Sequence, residues 1–288
     1  MEARYTILVL NGLTQGAIFF VLGSGLTLAF GLMRIVNMSH GAFYLLGGYV
    51  GLTVLGHTGS WVLALLAGGL SIALVGLLVE RGLLARIHEG GDLSQTLLTI
   101  ALSMIIADLA LAVWGGHAMS IRAPLALSRP VTLFGLTYPG FRFFLMAISI
   151  VIALALWFIL YRTRFGIAVR ASVDDRETVS ALGVRIDTIY SMMFMLSAFL
   201  GGVAGVLGGT YLQLSPGEDV TILTYSLVVV IVGGLGSLLG AVVSSLLLGQ
   251  ILSFSLAFAP ELSMFLVFVP MAIVLAVRPQ GLFGSRLG

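Results

Sequence analysis

The sequence contains no cysteine and no lysine, and each absence excludes a class of chemistry. A chain without cysteine has no disulfides, no thiolate metal sites and no cysteine nucleophile. A chain without lysine has neither the lysine of a phosphate-binding P-loop nor a lysine that forms a Schiff base. We therefore expect this chain to bind no cofactor or metal of its own, and any ATP that drives it to be hydrolysed on another subunit.

Charged residues are also scarce. They make up 9% of the 288 residues, whereas a typical soluble domain has about 25%. The apolar fraction of 59% and the mean hydropathy of +1.13 exclude both a soluble domain and a disordered chain. The 14 arginines lie between apolar runs and form no continuous patch, so we interpret them as topology signals and not as a nucleic-acid-binding surface.

Long uncharged runs cover most of the chain. A helix needs about 20 apolar residues to cross a bilayer, so the two longest runs hold two helices each and the others hold one. The sequence predicts an all-α, polytopic integral membrane protein, one domain over residues 1–288, with about eight or nine transmembrane helices, of which one or two are broken or re-entrant. The apolar segments are residues 5–33, 35–79, 93–114, 143–161, 188–217, 220–260 and 262–277.

The arginines predict the orientation of these helices, because short cytoplasmic loops are enriched in basic residues. Residues 162–187 contain five arginines, residues 80–92 contain two, and the C-terminal tail contains two more. We assign these three regions to the cytoplasm. Nine crossings then place the N-terminus and the loop of residues 115–141 outside, with the C-terminus inside.

Two apolar runs are interrupted by small and polar residues instead of charges, at residues 34–41 (RIVNMSHG) and 233–237 (GGLGS). Glycine-interrupted hydrophobic segments in the two halves of a transporter indicate a substrate path. Free amides at a helix N-terminus can face an anionic group, and Ser39 and Ser237 are placed to act as N-caps. Ordinary turns at the membrane surface are the alternative. The candidate path residues here are Asn37, Ser39, His40, Gly41, Gly233, Gly234, Gly236 and Ser237.

The first helix places Asn11, Thr14 and Gln15 on one face, because they follow one another at positions i, i+3 and i+4. This face is poorly suited to lipid tails. It either lines the path together with Asn37 or forms hydrogen bonds between helices.

Asp108 is the only acid well inside a predicted span. An intramembrane carboxylate indicates a function, which here is proton or ion coupling in a secondary transporter. Because Asp108 lies near the outer end of its segment, an interfacial or arginine-paired role is the alternative.

The predicted cytoplasmic loop contains one short helix over residues 170–183 (RASVDDRETVSALG). Ser172 with Asp175 forms a partial capping box, and Gly183 supplies a left-handed end. The helix is either a solvated connector or a segment that docks into a groove of a soluble partner. The candidate coupling residues are Arg170, Ala171, Asp174, Ala181, Leu182 and Gly183.

These motifs together resemble the LivH/LivM family of bacterial ABC-transporter permeases, and they are most similar to the LivH type. Ser39 is a departure, since members often carry a small apolar residue there. The similar segments are residues 11–16 (NGLTQG), 37–41 (NMSHG), 47–49 (GGY), 80–81 (ER), 166–171 (GIAVRA), 181–183 (ALG), 232–241 (VGGLGSLLGA) and 278–284 (RPQGLFG).

The resemblance implies a type II-like ABC importer permease for branched-chain amino acids in the bacterial inner membrane. It implies a second, LivM-like permease, two cytoplasmic ATP-binding subunits that carry ATP and Mg²⁺, and a periplasmic substrate-binding protein as partners. It also implies that residues 170–183 form the helix that couples to the ATPase. Because the family includes urea and short-amide importers, these substrates are the alternative to amino acids.

Overall fold

The computed structural model describes residues 2–33, 37–133 and 135–284, and almost all of them lie in helices. The helices are α1 (Glu2–Met33), α2 (His40–Thr58), α3 (Trp61–Gly82), α4 (Gly91–Trp114), α5 (Leu125–Ser128), α6 (Gly140–Arg162), α7 (Arg164–Asp174), α8 (Arg176–Ala181), α9 (Ile186–Tyr211), α10 (Glu218–Gly233), α11 (Leu238–Phe258), α12 (Ser263–Leu266) and α13 (Val269–Val277). Short 3₁₀ helices cover Leu84–Gly90 and Pro260–Leu262. Strands β1 (Pro130–Leu133) and β2 (Leu136–Pro139) form an antiparallel hairpin in which Val131 lies opposite Tyr138.

The prediction of an all-α, polytopic membrane protein is confirmed, although the number of spans differs. Among the described residues, seven helical segments are long and apolar enough to cross a membrane. The runs of residues 35–79 and 220–260 each contain one further helix, α2 in the first and α10 in the second. Helix α10 has 16 residues and is therefore about 24 Å long, shorter than the bilayer core of about 30 Å. The seven segments are Ala3–Gly31, Trp61–Ile87, Gly91–Trp114, Gly140–Arg162, Ile186–Tyr211, Leu238–Phe258 and Pro260–Val277.

Helices α1 and α11 run antiparallel and fix the two ends of the bundle. At one end, the Ser253 hydroxyl donates to the carbonyl of Leu8 at 2.7 Å. At the other end, Gly31 packs against Gly236 in the turn between α10 and α11. The chain after α13 closes over this turn, because the amide of Phe283 donates to the carbonyl of Gly233 at 3.0 Å.

Helix α9 is the most enclosed of the long helices and packs against α1, α2 and α3. Glycines allow the close approach of these helices, as is common where membrane helices pack through small residues. A Cβ on Gly47 of α2 would overlap the Cα of Gly202 in α9, and one on Gly205 would overlap the carbonyl of Tyr44. The contact between α2 and α9 is therefore a contact between backbones.

Gly47→Val should destabilise the protein by at least about 1–3 kcal/mol, because the new side chain has no space between α2 and α9. Gly56→Val is the matched control, since Gly56 lies in the same helix and a Cβ added there would have no atom within 4 Å. Thermal denaturation of the two purified variants in detergent tests the difference. Equal transition temperatures would contradict the assigned packing.

Candidate functional site

Helix α2 begins inside the bundle and not at the end of α1. The Nε2–H of His40, its first residue, donates to the carbonyl of Leu22 at 2.9 Å. Leu22 precedes the last residue of α1, Met33, by eleven positions, a distance along the helix of about 16 Å. The imidazole fits because its neighbours in α1 and α9 are glycines, Gly25 and Gly201.

The segment that leads into α2 is polar and buried. The side-chain oxygen of Asn37 accepts hydrogen bonds from the amide of Ser39 at 3.1 Å and from its hydroxyl at 2.5 Å. The amide of Met38 donates to the hydroxyl of Thr99 in α4 at 3.2 Å. The interrupted backbone is thus hydrogen-bonded within the protein, as any break at membrane depth must be. Residues 34–36, the first part of the predicted interruption, lie outside the described residues.

Two polar atoms of this segment make no hydrogen bond with any residue that the structure describes. They are Nδ2 of Asn37 and Nδ1 of His40, and both are buried. Since Nε2 of His40 carries the proton that Leu22 accepts, Nδ1 of a neutral ring is an acceptor. The segment therefore keeps one donor and one acceptor that its own neighbours do not use.

The predicted place of Ser39 at the N-cap of α2 is confirmed, without a hydrogen bond from α2 to its side chain. Its hydroxyl is turned toward the side-chain oxygen of Asn37 instead, because that oxygen also organises the backbone of the turn. The prediction for Ser237 is confirmed, since its hydroxyl accepts from the amide of Gly240 at 3.0 Å.

The start of α10 meets the start of α2. A Cβ on Gly41 would overlap the carbonyl of Asp219 and would lie 3.1 Å from Cβ of Leu223. The chain reaches this place through residues 212–217, which turn back after α9. Leu214 exchanges two backbone hydrogen bonds with Met119, at 2.7 and 2.8 Å.

The second interruption that lies next to the start of α2 is therefore formed by residues 212–217. Residues 233–237, which the sequence suggested, lie elsewhere. Gly233, Gly234, Gly236 and Ser237 form the turn between α10 and α11, next to Gly31 and the chain after α13. The sequence did not predict this role for residues 212–219, because Glu218 and Asp219 are typical of a charged loop that separates two membrane spans. The available signal was Pro216-Gly217 followed by two acids, which is typical of a helix start.

The polar face of α1 forms a network with the region of the predicted external loop. The side-chain oxygen of Asn11 accepts from the hydroxyl of Tyr138 at 3.0 Å and from Nη1 of Arg142 at 2.6 Å. Thr14 lies 3.0 Å from the same hydroxyl, and Tyr211 donates to Gln15 at 3.0 Å. The three predicted residues therefore hold α1, α6 and α9 together at this end, and a role in the path remains a prediction.

Asp108 lies on α4, with no hydrogen bond or ion pair to the residues that the structure describes. It lines a cavity together with Met38 and Asp219. The arginine-paired role that the sequence allowed has no partner in the described part of the chain.

The predicted cytoplasmic loop forms two helices where the sequence predicted one. Thr163 begins α7 by accepting from the amide of Gly166 at 3.1 Å. Asp175 begins α8 by accepting from the amide of Thr178 at 3.0 Å. The hydrogen bonds from the hydroxyl and the amide of Thr178 hold the pKa of Asp175 below its usual value.

Two details of the predicted loop helix change accordingly. The capping box with Ser172 is wrong: residues 170–172 continue the helix that begins at Arg164, so the hydroxyl of Ser172 donates back to the carbonyl of Ala168 at 2.7 Å. The left-handed end at Gly183 is confirmed by its φ of +86°.

The candidate coupling residues fall into two groups. Arg170 is directed toward α6, since it donates to the carbonyl of Leu160 and lies 4.9 Å from the ring centre of Tyr161. Ala171 is half-buried beside it. The exposed group is Asp174, Ala181, Leu182 and Gly183. With 77% of its surface exposed, Leu182 is an apolar side chain that nothing in the described chain covers.

Comparison with known proteins agrees with this architecture. A family model described as "Branched-chain amino acid transport system / permease component" matches residues 8–275. The permease protein BraD of the high-affinity branched-chain amino acid transport system of Pseudomonas aeruginosa is 24% identical over 98% of this chain and 96% of its own length. The corresponding protein LivH of Salmonella typhimurium is 25% identical over 95% of this chain and 94% of its own length.

A relative of a second type is also similar. The permease protein LivM of the high-affinity branched-chain amino acid transport system of Salmonella typhimurium is 28% identical over 93% of this chain and 68% of its own length. No solved structure matches the chain. The resemblance drawn from the sequence motifs is thereby confirmed.

Asn11→Ala should destabilise the protein by about 1–3 kcal/mol, because it leaves the guanidinium of Arg142 and the hydroxyl of Tyr138 without their shared acceptor. Asn11→Asp is the control, since a carboxylate retains that acceptor. The measurement is the denaturation temperature of each variant in detergent. If the aspartate variant unfolds as early as the alanine variant, the network does not hold α1 in the way the structure shows.

Proposed function

The chain belongs to the family of permease components of branched-chain amino acid transport systems, and from this premise we propose that it is the membrane-spanning subunit of an ATP-driven ABC importer for branched-chain amino acids. The observation that carries the proposal is the family match over residues 8–275, nearly the whole chain. The absence of lysine supports a separation of transport and ATP hydrolysis between subunits, because the ATP-binding P-loop must lie on another subunit.

The proposed importer contains a second, LivM-like permease, two cytoplasmic ATP-binding subunits that hold ATP and Mg²⁺, and a periplasmic substrate-binding protein. It lies in the bacterial inner membrane, with residues 162–187 in the cytoplasm and residues 115–141 outside. The similarity of this chain to both LivH and LivM supports two related permeases in one importer. The five arginines of residues 162–187 support the orientation.

Helix α8 and the residues after it are proposed to couple ATP hydrolysis to transport. The exposed side chain of Leu182 is suited to insertion into a groove of the ATP-binding subunit. Helix α7 is fixed to α6 through Arg170, so movement at α8 is transmitted through α9, which begins four residues after Leu182.

The proposed substrate path passes the start of α2, where Asn37, Ser39 and His40 lie next to the start of α10. Irregular backbone at this depth is typical of transporter binding sites. The unused donor on Asn37 and the unused acceptor on His40 support this path, because they are available to form hydrogen bonds with a passing substrate. The turn at Gly233 would adjust as α10 moves.

Cells that lack this chain should lose uptake of labelled leucine and keep uptake of labelled urea, and a plasmid copy should restore leucine uptake. The apolar lining of the cavity beside α4 favours an aliphatic substrate over urea. Initial uptake rates of both compounds at low concentration provide the measurement. Loss of urea uptake alone would contradict the amino-acid substrate and retain the importer.

Gly183→Val should reduce leucine uptake at least about tenfold while the protein still reaches the membrane. The φ of +86° costs a β-branched residue about 1–2 kcal/mol, so the end of α8 would change shape. Gly59→Val is the control for strain alone, because Gly59 has a φ of +67° and open space in the turn after α2. Co-purification of the ATP-binding subunits and uptake rates are measured for both variants, and equal loss in both would contradict the coupling role.

A further inference from the structure

A cavity of about 430 Å³ lies between α4 and the start of α10, next to Met38. Its size falls in the range of roughly 300–1,000 Å³ that is typical of small-molecule sites. The α4 side is a single stripe, because residues 100, 103, 104, 107, 108 and 111 recur at helical spacing. Most of the walls are aliphatic, including Ile100, Met104, Leu111 and Leu223.

Asp219 brings a buried carboxylate to this cavity. The residue is 5% exposed, and it has no hydrogen bond or ion pair with any residue that the structure describes. The residue lies in the first turn of α10, at the positive end of the helix dipole, which stabilises a negative charge. A buried negative charge without a partner is costly, so we expect a cationic group to bind in this cavity.

Asp108 adds a second carboxylate from the opposite wall. Its neighbours on α4, Ile105 and Leu109, are exposed apolar side chains suited to lipid. A carboxylate among them is tolerated only where it faces water or a cation. The cavity is the place that both Asp108 and Asp219 share.

We propose that Asp219 and Asp108 bind the ammonium group of a zwitterionic amino acid in this cavity, while the aliphatic walls hold its side chain. The inference rests on the proposed function and assigns the part of the substrate that this chain recognises. A metal ion fits less well, since the described residues contain no group of three or more His, Cys, Asp or Glu that could hold one. An ammonium group needs only two or three acceptors, and the hydroxyl of Ser103 on the same wall is a third.

The lack of cysteine allows a direct test in the complete importer. A single cysteine replaces Ala107, which lines the cavity, and the complex, purified in lipid nanodiscs without its binding protein, reacts with a water-soluble methanethiosulfonate reagent. Leucine at millimolar concentration should slow this reaction at least about threefold. The deaminated analogue 4-methylpentanoate, which has the same aliphatic chain and no ammonium group, should not slow it.

Two substitutions of nearly unchanged size, Asp219→Asn and Asp108→Asn, should each raise the half-protecting leucine concentration about tenfold, as expected for loss of a charge-assisted hydrogen bond. Leu125→Cys, at a 90% exposed position outside the membrane-crossing segments, is the control, and its labelling should not depend on leucine. The denaturation temperature of each variant reports that it is folded, and Asp219→Glu, which keeps the charge, replaces Asp219→Asn if the latter unfolds early.

The possible outcomes of this experiment are distinct. Protection by leucine alone, weakened in both asparagine variants, supports the ammonium site. Equal protection by 4-methylpentanoate, protection by sodium or ammonium ions, or absence of protection overturns it. If leucine uptake in cells depends on the chain but leucine gives no protection, this inference fails and the proposed function stands. If uptake is independent of the chain, the proposed function itself fails.

Discussion

The architecture depends on one constraint, which is that a lipid bilayer offers no hydrogen bonds to a polypeptide backbone that leaves the helix. In the described residues the chain leaves the helix before α2, inside the bundle, and before α10, where it pairs with the chain at Met119. Both interruptions are satisfied by protein groups: the amide of Met38 by Thr99, the amide of Ser39 by Asn37, and Leu214 by Met119. The surrounding helices therefore have to enclose the segment before α2, where Asn37, Ser39 and His40 are buried. The segment before α10 is enclosed only in part, since Leu214 is buried and Leu212 is exposed.

Such enclosure requires helices that approach to backbone distance, and glycines at the helix contacts allow this approach. Gly25 and Gly201 make room for the imidazole of His40, and Gly41 makes room for the start of α10. A side chain at Gly25 or Gly41 would push the neighbouring groups away, because a Cβ there would overlap the imidazole of His40 or the carbonyl of Asp219. These glycines thus make room for the buried polar segment, in addition to allowing the close helix packing that is common in membrane proteins.

Local composition was enough to predict part of this structure. The uncharged runs predicted the helices, the polar residues 37–41 predicted the buried interruption, and Gly183 predicted the end of α8. Features that depend on tertiary burial could not be predicted in this way. Asp219 follows Pro216 and Gly217 in a pattern that equally describes a surface loop, and only the contact of its backbone with Gly41 places it inside. Likewise, Ser172 and Asp175 each suit a helix start, and only the continuation of α7 from Arg164 decides between them.

Helix α9 connects the two regions that the proposed transport cycle uses. It starts just after Leu182, the exposed apolar side chain of the cytoplasmic loop, and it passes His40 at Gly201. Gly201 follows Ile186 by fifteen positions, a distance along the helix of about 22 Å. A helix enclosed on most sides moves as a rigid rod, because its packed side chains resist continuous deformation. A displacement of α8 by a partner subunit would therefore reach the start of α2 directly. There Gly25 and Gly201 contact His40, and these small residues allow the helices to slide past one another where bulky side chains would not.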